Sequence, residues 1–466
     1  MRDAPRPFEP HGWAPRMALW ALLGLLGGCV PDTGTDGPPE TGEGEGVVAV
    51  ELPDSAPEPA PALPEFREEV EAVSTHPQVQ AALDFIQALE ERSRDDLIRL
   101  TEIPAPPFME DERGRAFAQM LREAGADSVW TDGEGNVIGL RRGTDGSRTV
   151  ALDGHLDTVF PPETDVTVQI RGDTLYAPGV GDDTRGLIVV RNVLEAMVTH
   201  DLRTEADLLF VGTVGEEGLG DLSGVKHLFG PEGPGIDAFI AVDGGDETRV
   251  VNQGVGSLRY RVTFQGPGGH SWGAFGLGNP HHALGAAIRH FVPAADAHTS
   301  SGPRTSYSVG RIGGGTSVNS IPFESWMEVD MRSLDPESLG RLDGIFHESM
   351  QAGLDEQNAI VRQGPPLTVD VARVGDRPAG TLDPYTPLVQ RALAVVRHQG
   401  GEPALGSGST NANTPISMGI PSVTIGRGGD GGNAHALDEW WLDVDAHLAA
   451  QNALLLVLME GGFPGD

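Results

Sequence analysis

The chain has 466 residues, 39% of them apolar, which is enough to bury a large core and to divide into two or three domains. A formal charge of −36 at pH 7 excludes nucleic-acid binding, which needs a basic footprint. The single cysteine excludes an intramolecular disulfide, and 64 glycines with 36 prolines predict many loops and an unstructured segment.

Residues 17–29 read MALWALLGLLGGC, an apolar run preceded by Arg2, Arg6 and Arg16. The run is too short to span a bilayer and fits the core of a signal peptide over residues 1–28. Its LGGC ending resembles a bacterial lipobox, which makes Cys29 the expected lipidation site and the protein an exported, membrane-anchored lipoprotein. Residues 29–72 are rich in Pro, Gly and acids near their start and are read as a disordered tether. Helical spacing follows in VQAALDFIQALEERSRDDLIRL and DERGRAFAQMLREAG. NVIGLRRG and RTVALDG then read as strands, TRGLIVVRNVLEAMVTH as a helix, DLLFVGTVG and DAFIAVDGG as strands. This alternation predicts an α/β fold with a mostly parallel sheet covered by helices.

Beyond Gly254 the character changes. SLRYRVTFQG, TSYSVGRIGG and SWMEVDMRS alternate as half-exposed strands do, with helices between them. A smaller α+β domain over residues 255–372 is therefore expected to be inserted in an α/β domain formed by residues 73–254 and 373–466. The helix PLVQRALAVVRHQG, the strand PSVTIG and a last apolar helix return to the first pattern.

Acidic and histidine residues follow directly on the expected core strands. ALDGHLDTVF supplies His155 and Asp157, TVGEEG supplies Glu216 and Glu217, AVDGG supplies Asp243, and the loop after PSVTIG supplies His435. APGVGDDTRG puts Asp182 and Asp183 at a helix start. In an open α/β sheet the carboxyl ends of the strands share one edge, where ligands bind. Two histidines with several carboxylates suit Zn²⁺. They exceed what one tetrahedral ion needs and match two ions bridged by one carboxylate and one water. Successive side chains of extended backbone point to opposite sides, so Glu216 and Glu217 need not share a job. One can bind metal while the other takes a proton. Each motif alone has a bland reading: a surface His, a helix N-cap, a solvated turn.

In combination, GHLDTV, PGVGDDTRG, GEEGLG, VDGG, GPGGHS and NAHALDEW resemble the zinc metallopeptidases that include glutamate carboxypeptidase, peptidase T, aminoacylase and succinyl-diaminopimelate desuccinylase. The resemblance covers residues 75–463. It implies that His155, Asp182, Glu217, Asp243 and His435 hold two Zn²⁺, with Mn²⁺ or Co²⁺ as substitutes, and that Asp157 orients His155. It implies Glu216 as general base on a metal-bridging water. Asp243 in place of glutamate leans toward the peptidase T-like branch. The family usually carries Lys shortly after the bridging aspartate, where this chain has Thr184 and Arg185; aligning that Lys with Arg185 would make Asp183 the bridge, while the flanking glycines favour Asp182.

The inserted domain resembles the family's lid and dimerisation domain, which implies a homodimer. His270 matches a histidine that reaches the partner's site and stabilises the oxyanion. Asn319 and Arg332 match substrate-contacting positions, Arg332 being suited to a carboxylate. His281 and His282 are read as structural. The implied substrates are small peptides or N-acyl amino acids. Two rival readings stand beside this one. GHSWG fits a nucleophile elbow with Ser271, the mark of a serine esterase, although the residues after it will not start a helix. A non-catalytic homologue would keep the cleft for binding alone.

Overall fold

The computed structural model describes residues 62–464. The expected signal peptide, Cys29 and most of the expected tether lie outside the described residues. The end of that stretch is helical: Pro64–Ser74 buries Val70 and Val73. The Leu63 N–H also donates to Gln390 Oε1 at 2.8 Å. Phe66, Val70 and Val73 stand one helical turn apart, a pattern hidden by the proline- and glutamate-rich composition around it. Among the described residues no helix is long and apolar enough to cross a membrane.

The main sheet is mixed. Its centre is parallel: Asp207–Thr213, Thr149–His155, Ala238–Val242 and Ser422–Ile425 lie side by side in that order. Antiparallel strands flank them, Val137–Arg141 on one side and Arg249–Gly254 on the other. The central strands are buried almost throughout. That burial explains why they read as continuous apolar runs and not as alternating ones. Helix Thr184–Thr199 packs on strand Thr149–His155 and on helix His447–Glu460. Both helices bury nearly every side chain, so they form the core layer over the sheet. The helical pattern over residues 79–100 is broken at Leu89 into Pro77–Ala88 and Glu90–Thr101.

A second sheet of four antiparallel strands has the order Thr305–Gly314, Glu324–Ser333, Gly256–Gln265 and Thr368–Arg377. Helices Pro280–Thr299 and Pro336–Ala359 pack on one face of it. Val262, Phe264, Met327, Val329 and Met331 meet Phe291 and Phe346 there. Burial alternates strictly along Glu324–Ser333. The opposite face therefore carries Arg259, Arg261, Glu328, Asp330 and Arg332. The fourth strand continues beyond residue 372 to Arg377. From there Gly380–Thr381 returns the chain to the main sheet, pairing with residues 253–254.

Candidate metal centre

All four central parallel strands end at one edge, and each delivers a candidate residue there. His155 is the last residue of its strand. Asp243 follows Val242 directly. Glu216 and Glu217 stand just past Thr213, and beyond Ile425 His435 lies in the turn between the paired short strands Asp430–Gly432 and Trp440–Leu442. Asp182 and Asp183, joined by a cis peptide, precede helix Thr184–Thr199. The glutamate loop turns on Gly215, whose φ of 65° suits glycine and whose added Cβ would come within 2.5 Å of Ser223 Oγ.

The side chains converge. Asp182 stands between the two histidines, with Oδ1 3.2 Å from His155 Nε2 and Oδ2 3.2 Å from His435 Nε2. His435 Nε2 is also 2.7 Å from Glu217 Oε1. Three sets offer ligand atoms within 4.8 Å of one another: His155, Asp182 and Asp243; Asp182, Glu217 and His435; His155, Glu216 and Glu217. Asp183 points elsewhere, accepting the backbone N–H of His155 at 3.1 Å. Asp157 does more than face His155, whose Nδ1 lies 3.0 Å from the Asp157 carbonyl. Its carboxylate accepts the N–H of Glu216 at 2.9 Å and of Glu217 at 2.6 Å, which fixes the loop bearing both.

Burial opposes charge on His155, yet the hydrogen bonds to Asp157 and Asp182 push its pKa well above the usual histidine range. Hydrogen bonds to Asp182 and then Glu217 push His435 up to about 10. Burial raises Asp243, with the Asp182 charge adding to it. Burial raises Glu216 well above the usual carboxylate range, against the opposing charge of Arg377. A cleft with this much converging negative charge attracts cations, and its imidazole and carboxylate atoms are ligands a zinc-class divalent ion accepts. The residues thus fit a metal pair with Asp182 common to both halves.

Some candidates do not join this cluster. His270 is exposed on strand Gly269–His270 and accepts from the N–H groups of Trp272 and Gly273. Asn319 neighbours it, its carbonyl accepting from Ser271 N at 2.9 Å. Arg332 pairs with Asp330 at 2.7 Å on the open face of the second sheet. Ser271 opens a run of turns and not a helix, so the elbow geometry is not formed. His281 bonds Ser325 Oγ at 2.7 Å, and His282 lies beside its N-cap residue Asn279.

Other residues of the site escaped the sequence reading. Glu439 accepts the N–H groups of Gly179, Gly181 and Asp182 at 2.7, 2.9 and 2.8 Å, and so holds the turn that presents Asp182. Burial pushes Glu439 up to about 7. A Cβ on Gly181 would come within 2.6 Å of Arg427 Nη2, so that glycine lets Arg427 reach the turn. Arg377 pairs with Glu216 at 3.0 Å. Only the position of Glu439 inside the NAHALDEW motif hinted at any of these.

Residues 151–460 match the model of peptidase family M20/M25/M40. The chain belongs to this family. It is thereby a metal-dependent hydrolase of the M20 peptidase and amidohydrolase group. A Mycobacterium tuberculosis protein named as succinyl-diaminopimelate desuccinylase DapE is 27% identical over 66% of this chain and 81% of its own length. A Pyrococcus abyssi protein named as a LysW-lysine/LysW-ornithine hydrolase is 33% identical, over 26% of this chain and 32% of its own length. Among solved structures, a tripeptidase from Staphylococcus aureus superposes with a TM-score of 0.64 at 21% identity, covering 80% of this chain and 98% of that one. A dinuclear metal binding peptidase from Bacillus subtilis superposes with a TM-score of 0.56 at 16% identity, over 80% and 99%. At these identities the structures establish a shared M20 fold.

The Asp157 contacts lead to a direct expectation. Asp157→Asn keeps one acceptor oxygen and turns an amide N–H₂ toward the loop. Exchange of the Glu216 and Glu217 amide hydrogens should then speed up by about 10- to 100-fold, as expected for hydrogen bonds to a charged group worth ~1.5–3 kcal/mol. Unchanged protection of both amides in hydrogen-exchange measurements would show that Asp157 does not fix the loop.

Proposed function

We propose that this M20 member is a dinuclear metallohydrolase that cleaves peptide or N-acyl amide bonds of small substrates. The observation that carries the reading is Asp182, with one carboxylate oxygen 3.2 Å from each of two histidine Nε2 atoms beside a pair of glutamates. His155 and Asp243 would hold one ion, Glu217 and His435 the other, and Asp182 both. When bound, the ions, taken to be zinc, polarise the scissile carbonyl and lower the pKa of the attacking water.

The chain's own residues do the rest. Glu216 takes a proton from the water and passes it to the leaving amine. Asp157 keeps His155 and both glutamates in place. His270 donates to the oxyanion, from the partner subunit of a homodimer. Arg332 binds a substrate carboxylate, exchanging Asp330 for it, and Asn319 contacts the substrate beside His270. The chain is exported and anchored through lipid on Cys29.

The glutamate pair separates this reading from a binding protein. Glu216→Gln should keep two zincs per chain and lose most turnover, whereas Glu217→Ala should lose metal. Metal analysis beside kcat, on a panel of di- and tripeptides and N-acyl amino acids, checks both. A wild-type chain that holds zinc but cleaves no member of the panel would favour the binding homologue.

Mixing His270→Ala with Glu216→Gln after dissociation and reassociation tests the partner contribution. A mixed dimer then carries one intact site, so activity should reappear. If heterodimers form and stay inactive, His270 does not act across a dimer.

Cys29→Ser should move the protein from the membrane to the soluble fraction. A wild-type protein found wholly in the soluble fraction would refute the anchor.

A further inference from the structure

The strand Thr368–Arg377 ends at the metal centre. Arg377 is the last residue of the second sheet before the chain crosses back, and Pro378 follows it. Its guanidinium is buried, with 5% of the side chain exposed, and so is the carboxylate of its partner Glu216, also 5%. Arg377 Nη1 donates to Glu216 Oε1 at 3.0 Å, and Nη2 donates to the main-chain carbonyl of the same Glu216. Nη1 also reaches Ser409 Oγ at 3.1 Å, just past the strand Ala404–Gly408 that pairs with Arg249–Gly254 in the main sheet. One rigid fork thus grips a side chain and its own backbone together. A lysine, with a point charge on a flexible stem, lacks the planar fork that holds both in one geometry. Only Oε1 is taken in this grip.

The same loop is held by the second sheet at two further points. Asp376 N–H donates to Asp221 Oδ1 at 2.8 Å. Arg259 Nη1 donates to the Gly218 carbonyl at 2.7 Å. Asp221 and Leu222 have φ of 55° and 61°, a left-handed pair without glycine that persists only when its surroundings impose it. Bonds from Asp376 and Lys226 to Asp221, and full burial of Leu222, supply that imposition.

We infer that Arg377 is a positioning residue for Glu216: it sets the rotamer of the base from the end of the second sheet. The inference rests on Glu216 being the base, as proposed above. It follows that the base is in position only while the second sheet sits against the glutamate loop, because Arg377 moves with its strand. Arg377 bonds to Glu216 and Ser409 and to none of the proposed metal ligands, so its effect runs through Glu216.

The test is a double-mutant cycle on the full chain. It uses the most rapidly cleaved member of the peptide and N-acyl panel, with zinc content measured on every variant. Arg377→Met should lower kcat by about 100-fold, the scale of a misplaced catalytic group, and leave KM within about threefold. Zinc should stay at the wild-type stoichiometry. Arg377→Lys should recover little, and added guanidinium should restore part of kcat to Arg377→Ala but none to wild type. In the Glu216→Gln background, Arg377→Met should cost less than about twofold more, since residues that act as a unit are not additive. Normal kcat in Arg377→Met with zinc retained overturns the inference. So does an equal fold-loss in both backgrounds, which is what general destabilisation would give. If Glu216→Gln itself turns over normally with zinc bound, the base assignment falls, and the inference falls with it. That result is read from a variant in which Arg377 is intact, so the two failures are distinguishable.

Discussion

Carboxylates that converge in a buried cleft repel one another, and everything at the edge of the main sheet is arranged to hold them together. The means is backbone N–H groups of the segments that carry the ligand residues donating to further carboxylates. Asp157 accepts the N–H groups of Glu216 and Glu217. Glu439 accepts three N–H groups of the turn that ends in Asp182. Asp183 accepts the N–H of His155. In each case a carboxylate that does not face the histidine Nε2 atoms fixes a residue that does. Charge-assisted bonds of this kind are stronger than neutral ones. They orient the ligand set before any cation arrives, which is the condition for a metal site of defined geometry. Burial, like the repulsion, disfavours the charged forms of Glu216 and Asp243 and raises their pKa, so nearby divalent charge has most to offset here.

The second constraint joins the two sheets. The glutamate loop belongs to the main sheet by sequence, yet its outer side is bonded to Arg259, Asp376 and Arg377 of the second. Arg259 shares Asp330 with Arg332. A single row of polar side chains on the open sheet face therefore runs from the proposed substrate arginine to the loop that bears the proposed base. The apolar face of that sheet is committed to its two helices, so the polar face is the one free to meet the main domain. Alternation along a strand thus decides which residues take part in the chemistry.

Much of this was legible in the sequence for physical reasons. Strands buried on both faces write continuous apolar runs, and the residue after such a run is forced to the edge where ligands collect. His155, Asp243 and the two glutamates were visible on that rule. The helix Pro64–Ser74 was not, because proline and glutamate mask three apolar residues spaced one turn apart. Arg377 was illegible, and Glu439 was hinted at only by its motif, for another reason. Their partners are distant in sequence, Asp182 and Glu216 respectively, and no local pattern records a contact made only by folding. Whether Asp182 or Asp183 lies between the histidines also depended on side-chain direction. The geometry gives that place to Asp182 and turns Asp183 to the backbone.

The central claim is that one carboxylate, Asp182, sits between two ions. Anomalous diffraction from zinc-soaked crystals, recorded on both sides of the zinc edge, tests it most directly. The account predicts two peaks per chain about 3.5–4 Å apart. One should lie beside His155 and Asp243, the other beside Glu217 and His435, with an Asp182 oxygen on each. A single peak, or two peaks bridged by Asp183 or by neither aspartate, would contradict it.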